Sequence, residues 1–304
     1  MQLVQHKKEA YWFYRFLSIF YDKLVNPLFW TVPMRRQSLA IGKLDEPGIT
    51  VIDVGSGTGF TTEGIVEHVP PQRVTCLDQS PHQMAHAKAK PALQGCTFLL
   101  GDAEHLPFPD HSFDRYVSAG SIEYWPDPAQ GIREAFRVVK PGGWALMIGP
   151  LEPVHPAGRI LARLWMLFPP EADYWKWFRE AGFTDLEACY VKPNWAKGKG
   201  RYGIALAGRK PEGATAAAPK PQPKAENTEK PGLLRSFLLG ARVILGSLAG
   251  FFFIPAALIG QLRLSISGQG HLPPEEREHL NTYQKRALLF IAGAVALAVF
   301  LLIR

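Results

Sequence analysis

Residues 51–60 read VIDVGSGTGF, and the placement of this stretch organises the chain around it. The apolar run carrying Asp53 predicts a strand. Gly55, Gly57 and Gly59 predict a sharp turn, with a helix from Thr61. Glycine has no Cβ, so such a turn admits positive φ and lets a ligand approach the backbone. The start of the following helix offers unpaired N–H groups to an anionic group. A dinucleotide turn needs G-x-G-x-x-G, but residue 60 is Phe and the third glycine arrives one residue early. The spacing therefore argues against a nicotinamide dinucleotide.

On both sides of this turn, short apolar runs alternate with helical stretches. Strands are expected at 50–54, 73–77, 97–100, 113–118, 144–148, 186–191 and 204–207, and helices at 61–69, 81–90, 128–139 and 171–181. Such alternation predicts a mostly parallel sheet with helices on both faces. Two acids recur at predicted strand ends. Asp78 closes the second strand in VTCLDQS, where a carboxylate accepts both hydroxyls of a ribose. Asp102 follows the third strand in GDAEHLPFPD. Residues 133–149, REAFRVVKPGGWALMIG, predict a helix, a turn and another strand.

The flanks differ in character. Residues 9–28 carry apolar side chains at 10, 13, 14, 17, 20, 21, 24 and 25, the spacing of an amphipathic helix ending at Asn26-Pro27. Its apolar face is rich in aromatics, including Tyr14 and Tyr21, which suits core packing, a lid, or a membrane interface. Residues 210–231 are mostly Ala, Pro, Lys and Glu, a linker composition. Beyond it, residues 243–260 and 287–303 form two uncharged apolar blocks. At about 1.5 Å per residue, each reaches roughly across a bilayer's hydrocarbon. The expected domains are thus an N-terminal helix and lid (1–48), an α/β domain (49–209), a linker (210–232) and a two-helix membrane anchor (233–304) with helices near 243–262 and 287–303.

The 304 residues carry a net charge of +7, which suits an anionic membrane surface, and no nucleic-acid-reading motif is present. The three cysteines, Cys76, Cys96 and Cys189, form no CxxC, which argues against a disulfide framework or a zinc site. His82 and His86 have i, i+4 spacing but lack a third ligand in sequence, so no metal is expected. No cleavable leader is expected at the N-terminus.

The turn, in its D-x-G-x-G-x-G form, resembles motif I of class I S-adenosylmethionine-dependent methyltransferases. Longer stretches are more specific: YRFLSIFYDKLVNP (14–27), LDQSPHQMAHAKAK (77–90), GDAEHLPFPD (101–110), DRYVSAGSIEYWPDPAQGIREAFRVVKPGG (114–143) and WMLFPPEADYWKWFREAGF (165–183). These resemble the plant-type methyltransferases acting on the ring of methyl-phytyl- and methyl-solanyl-benzoquinols in tocopherol and plastoquinone synthesis. The resemblance implies a doubly wound, Rossmann-like seven-stranded sheet. It also implies an S-adenosylmethionine site built from Asp53, Gly55, Ser56, Gly57, Gly59, Asp78, Gln79, Asp102, Ala103 and Ser118. Asp102 would accept from the adenine amine, with the backbone at Ala103 reading the ring. The substrate implied is a prenylated benzoquinol, and the setting a plastid envelope, thylakoid or cyanobacterial membrane with the catalytic domain on the soluble face.

Methylation of an aromatic carbon is helped by removing a phenolic proton. Glu123 and His155 are the leading candidates for that base, ahead of Tyr124 and Asp22. Tyr14, Tyr21, Tyr124 and Trp125, with Trp165 and Phe168, are candidates to line the quinol and prenyl channel. Two other readings share the same cofactor residues. One is a methyltransferase for another membrane lipid, such as a demethylmenaquinol, a sterol or a phospholipid. The other is a membrane-tethered, non-catalytic protein that binds S-adenosylmethionine.

Overall fold

A computed structural model describes residues 26–153, 159, 168–196, 201–214, 254–269, 277 and 279–303. Within them lie seven strands: β1 (Val51–Val54), β2 (Val74–Asp78), β3 (Thr97–Leu100), β4 (Phe113–Ala119), β5 (Val139–Pro150), β6 (Thr184–Val191) and β7 (Gly203–Arg209). They form one sheet in the order β3-β2-β1-β4-β5-β7-β6. β7 runs antiparallel to both its neighbours, while the other pairs are parallel.

The helices are α1 (Asn26–Phe29), α2 (Val32–Leu39), α3 (Phe60–Ile65), α4 (Pro81–Lys88), α5 (Pro128–Val138), α6 (Glu171–Ala181), α7 (Ile254–Ser267) and α8 (Thr282–Ile303). Local chemistry explains where several begin. Pro81 and Pro128 occupy first-turn positions, where the missing N–H costs nothing. Ser80 and Asp127 cap α4 and α5 by accepting from the N–H of Gln83 and Gln130. Asn281 and Gln284 cap α8 reciprocally, each side chain bonding the other's N–H at 2.9 and 2.8 Å.

β1 is buried on both faces, as expected of a central parallel strand. Successive residues feed different cores: Val51 joins Leu39, Ile65, Val117 and Ile148 on one side. Ile52 joins Tyr116, Phe136, Tyr174 and Phe178 on the other. α2 and α3 therefore cover one face, and α5 and α6 the opposite one. Arg35 of α2 donates to the Phe60 carbonyl and to Glu67, both at 2.8 Å, tying α2 to α3.

A buried ion network ties α5 to the loop after β3. Arg137 holds Glu134 through two 2.8 Å bonds and donates to the carbonyls of Phe108 and Leu106 and to Asp110. Glu134 in turn accepts from the Leu106 N–H at 2.8 Å. Removing one partner strands the other charge in the core. Arg137→Ala is therefore expected to cost about 3–5 kcal/mol of stability, read by chemical denaturation.

Two expectations from sequence are corrected. The strand expected at 144–148 spans Val139–Pro150, because Val139 already pairs with Phe113. Residues 140–143 then leave the regular register, with Gly142 at φ +78°. The domain also runs past Arg209: Lys210 is fully buried, with Nζ donating to the carbonyls of Phe136 (2.6 Å) and Val139 (2.8 Å) at the end of α5. Burial lowers its pKa to about 8. A linker composition read from residue 210 thus begins inside the fold.

The anchor expectation is met in part. Among the described residues one helix is long and apolar enough to cross a membrane, Thr282–Phe300, with mean hydropathy 1.4. α7 instead packs on the domain. Ala257 and Leu258 are fully buried with Leu28, against Phe29 and Trp195. The first apolar block therefore has a partner surface on the domain, despite the linker between them. Residues 243–253 of that block, and residues 1–25 with the amphipathic stretch, lie outside the described residues.

Candidate active site

The cleft opens at the carboxyl ends of β1, β2 and β4, where the strand order reverses, the usual ligand position in an open α/β sheet. Its floor is the glycine turn. Gly55 and Gly57 sit at φ +71° and +56°, a conformation that penalises any side chain. A Cβ on Gly55 would come within 2.4 Å of Ser121 Cβ, and one on Gly57 within 2.7 Å of the Gln83 amide oxygen. The backbone here is left-handed and so closely packed by Ser121 and Gln83, both of which line the cleft, that no side chain fits on either glycine.

The turn is anchored to β2: the N–H groups of Gly55 and Ser56 both donate to the Leu77 carbonyl. Asp78 completes the join. One carboxylate oxygen accepts from the Gly57 N–H at 2.8 Å and the other from the Ser80 N–H at 2.7 Å. Burial raises its pKa, and the backbone donors oppose that rise. Asp78 and Gln79 line the cleft, as do Asp102 and Ala103 after β3. One Asp102 oxygen accepts from the Glu104 N–H at 3.0 Å, and the other lies 3.2 Å from His105 Nδ1.

The remaining predicted cofactor residues stand differently. Asp53 is fully buried and does not line the cleft. It accepts from the Thr62 hydroxyl at 2.6 Å through one oxygen, and burial lifts its pKa to about 7. Gly59 caps α3, where a Cβ would meet Leu93 within 2.5 Å, and it too lies outside the lining. Ser118 is buried outside the lining, its hydroxyl 2.7 Å from that of Ser121. Ser121 is the cleft residue of the pair. The sequence reading passed over it, although its adjacency to Gly120 at the strand exit was a usable signal.

The half of the cleft over β4 and β5 is aromatic. Tyr124 and Trp125 line it, as sequence suggested, together with Phe168 and three residues the sequence reading missed: Phe29, Trp30 and Tyr202. Trp125 also packs tightly on α5, where a Cβ on Gly131 would lie 2.4 Å from its ring. Glu123, in the short 3-10 turn after β4, is 6% exposed, and burial lifts its pKa to about 8. His155, Tyr14, Tyr21, Asp22 and Trp165 lie outside the described residues. His82 and His86 are exposed on α4, and no cluster of three potential metal ligands among the described residues includes them.

Two buried polar atoms on the cleft wall, Ser56 Oγ and Glu123 Oε2, have no hydrogen-bond partner within the protein. Buried polar groups are nearly always paired, so these atoms call for a polar ligand. A bare glycine backbone, two carboxylates in succession and an acid in an aromatic wall fit an adenosyl sulfonium bearing an amino-acid tail.

Comparison with known proteins agrees. Residues 52–147 match a family described as a methyltransferase domain. The chain is 50% identical over 258 residues to the chloroplastic 2-methyl-6-phytyl-1,4-hydroquinone methyltransferase of Arabidopsis thaliana, covering 83% of this chain and 75% of that protein. It belongs to this methyltransferase family. A rice relative of the same name is 48% identical, covering 83% of this methyltransferase and 77% of its own length. A demethylmenaquinone methyltransferase of Chlorobaculum tepidum is 38% identical over 119 residues, 39% of this chain and 46% of that one. The fold also matches a methyltransferase chain solved with its activator from Haloferax volcanii (TM-score 0.51, 22% identity, 70% of this chain and 99% of that one). The cofactor of this methyltransferase is S-adenosylmethionine.

Proposed function

We propose that this methyltransferase methylates a ring carbon of a prenylated benzoquinol, methyl-phytyl- or methyl-solanyl-benzoquinol, in tocopherol and plastoquinone synthesis. The family relation supports the substrate class. The observation that carries the chemistry is Glu123: an acid buried in the aromatic half of the cleft, with one oxygen unpartnered in the protein.

S-adenosylmethionine, when bound, supplies a methyl group already activated as an electrophile. The protein must hold it, orient the ring and manage one proton. Asp78 takes the ribose hydroxyls, Asp102 and the Ala103 backbone the adenine, and the turn with Ser56 the remaining polar groups. Glu123 takes the phenolic proton at Oε2, raising electron density on the ring carbon; once that carbon is methylated its own hydrogen leaves as a proton and the oxygen is reprotonated, so one proton is released overall. Burial gives its ionised form, which grows as pH rises through about 8, a proton affinity that an ordinary glutamate lacks. The aromatic wall excludes water and stacks the ring.

On this reading α8 crosses a membrane and the catalytic domain stays on the soluble face. The exposed Leu289, Phe290, Leu297 and Phe300 of α8 support a lipid-facing helix. Protein-bearing membranes incubated with both prenyl-quinols and analysed by mass spectrometry should show one added methyl group on the ring. If only a demethylmenaquinol gains it, the substrate assignment moves to that class. Cofactor binding with no methylated lipid would favour the non-catalytic reading.

A further inference from the structure

The cleft and the membrane-crossing helix are joined by one run of aromatic and apolar contacts. Phe29 and Tyr202 both line the cleft. Trp195 stands between them, its ring centroid 5.9 Å from Phe29 and 6.4 Å from Tyr202, edge to face in both cases. Its indole N–H donates to the Leu28 carbonyl at 2.6 Å, which fixes the ring against α1. α7 rests on the far side: a Cβ on Gly260 would lie 3.0 Å from Trp195 Cβ and 3.3 Å from its ring. Leu28, Ala257, Leu258 and Leu280 close the same cluster, and Ala287, Leu288 and Ile291 of α8 pack against it.

We infer that the half-buried outer face of this seam, from Tyr202 through Trp195 and Phe29 to α7, is the doorway along which the substrate's prenyl tail runs from the cleft toward the bilayer. The inference rests on the quinol reading above and adds the route of the tail. Its occupant is an isoprenoid chain, for three reasons. The seam starts in the half of the cleft that carries Glu123, where the ring must sit. It ends where α8 begins, so its outer end lies at the membrane surface if α8 spans. A long apolar tail is too costly to draw wholly into water, so a ring in the cleft needs an apolar path for what trails behind it. α7, through its close seat at Gly260, shapes one wall of that path.

The test uses the full chain in phosphatidylcholine vesicles. Methyl transfer is measured to a prenylated methyl-benzoquinol and to the same ring with the tail replaced by a methyl group. Trp195→Ala and Gly260→Leu, the latter wedging α7 off Trp195, are each expected to lower the preference for the tailed over the tail-free ring by roughly 10-fold, mainly through KM. An unchanged preference, or equal losses on both rings, overturns the doorway. As a readout independent of variants, a prenyl-quinol with a photoreactive diazirine along its tail is irradiated on the wild-type protein. Label on Trp195 or α7 is expected, and label confined to other segments also overturns the doorway. A wild-type protein that methylates neither ring removes the quinol reading itself, a result distinct from either outcome.

Discussion

Asp78→Ala should weaken S-adenosylmethionine binding by about 10²–10⁴-fold, the loss of two hydrogen bonds to a charged acceptor at roughly 1.5–3 kcal/mol each. The same carboxylate holds the turn by accepting from Gly57 and Ser80, so the variant loses both a ligand contact and part of the cradle's support. The domain should nevertheless remain folded. Gly55 and Ser56 still donate to the Leu77 carbonyl, and the substitution also removes a carboxylate that burial disfavours. Asp78→Asn keeps one acceptor oxygen and should fall between wild type and Ala. Isothermal titration paired with a thermal melt checks this, and full affinity in a folded Asp78→Ala protein would refute the ribose assignment.

Glu123→Gln should lower kcat by about 10²–10⁴-fold, the range of a general base, with cofactor affinity changed little. Its pH signature is the sharper test. With a pKa of about 8, Glu123 is largely protonated at neutral pH, so wild-type kcat/KM should climb as pH rises through that value. The Gln variant, which cannot ionise, should lose this limb. Stability moves the other way. The folded pKa stands above the ordinary 4.5, so this group's contribution to stability is fully present below pH 4.5 and is lost as pH rises through about 8. The variant should therefore gain on wild type in stability across that window, as read by denaturation at several pH values. A pH profile identical in the two proteins would exclude Glu123 as the base.

How much was legible beforehand depends on the range of the interactions. All seven strands and the four helices between 61 and 181 were visible as periodicity, because a strand or a short helix is written in neighbouring residues. Their boundaries slipped where a distant partner intervened: Val139 is a strand residue because Phe113 pairs with it. Lys210 looks like linker and is core, because three carbonyls near the end of α5 accept from its amine. The antiparallel β7 between β5 and β6 carries no local mark, although Gly208 answers to it. A Cβ there would meet Leu186 within 2.8 Å and Phe178 within 2.9 Å.

The same division runs through the cleft. The order of glycine turn, Asp78, Asp102 and the Lys-Pro-Gly-Gly segment was readable from one end of the chain to the other, since each sits at a strand terminus that its own neighbours define. The amino-acid order alone thus determined the fold class, the cofactor type and the family. Only the folded chain decided that Ser121, not Ser118, faces the cleft, and that α7 lies on Trp195 rather than apart from the domain. It alone also raised Glu123's proton affinity, through burial. Those outcomes depend on what is packed around a group and how far it is from water, and residues distant in sequence supply both.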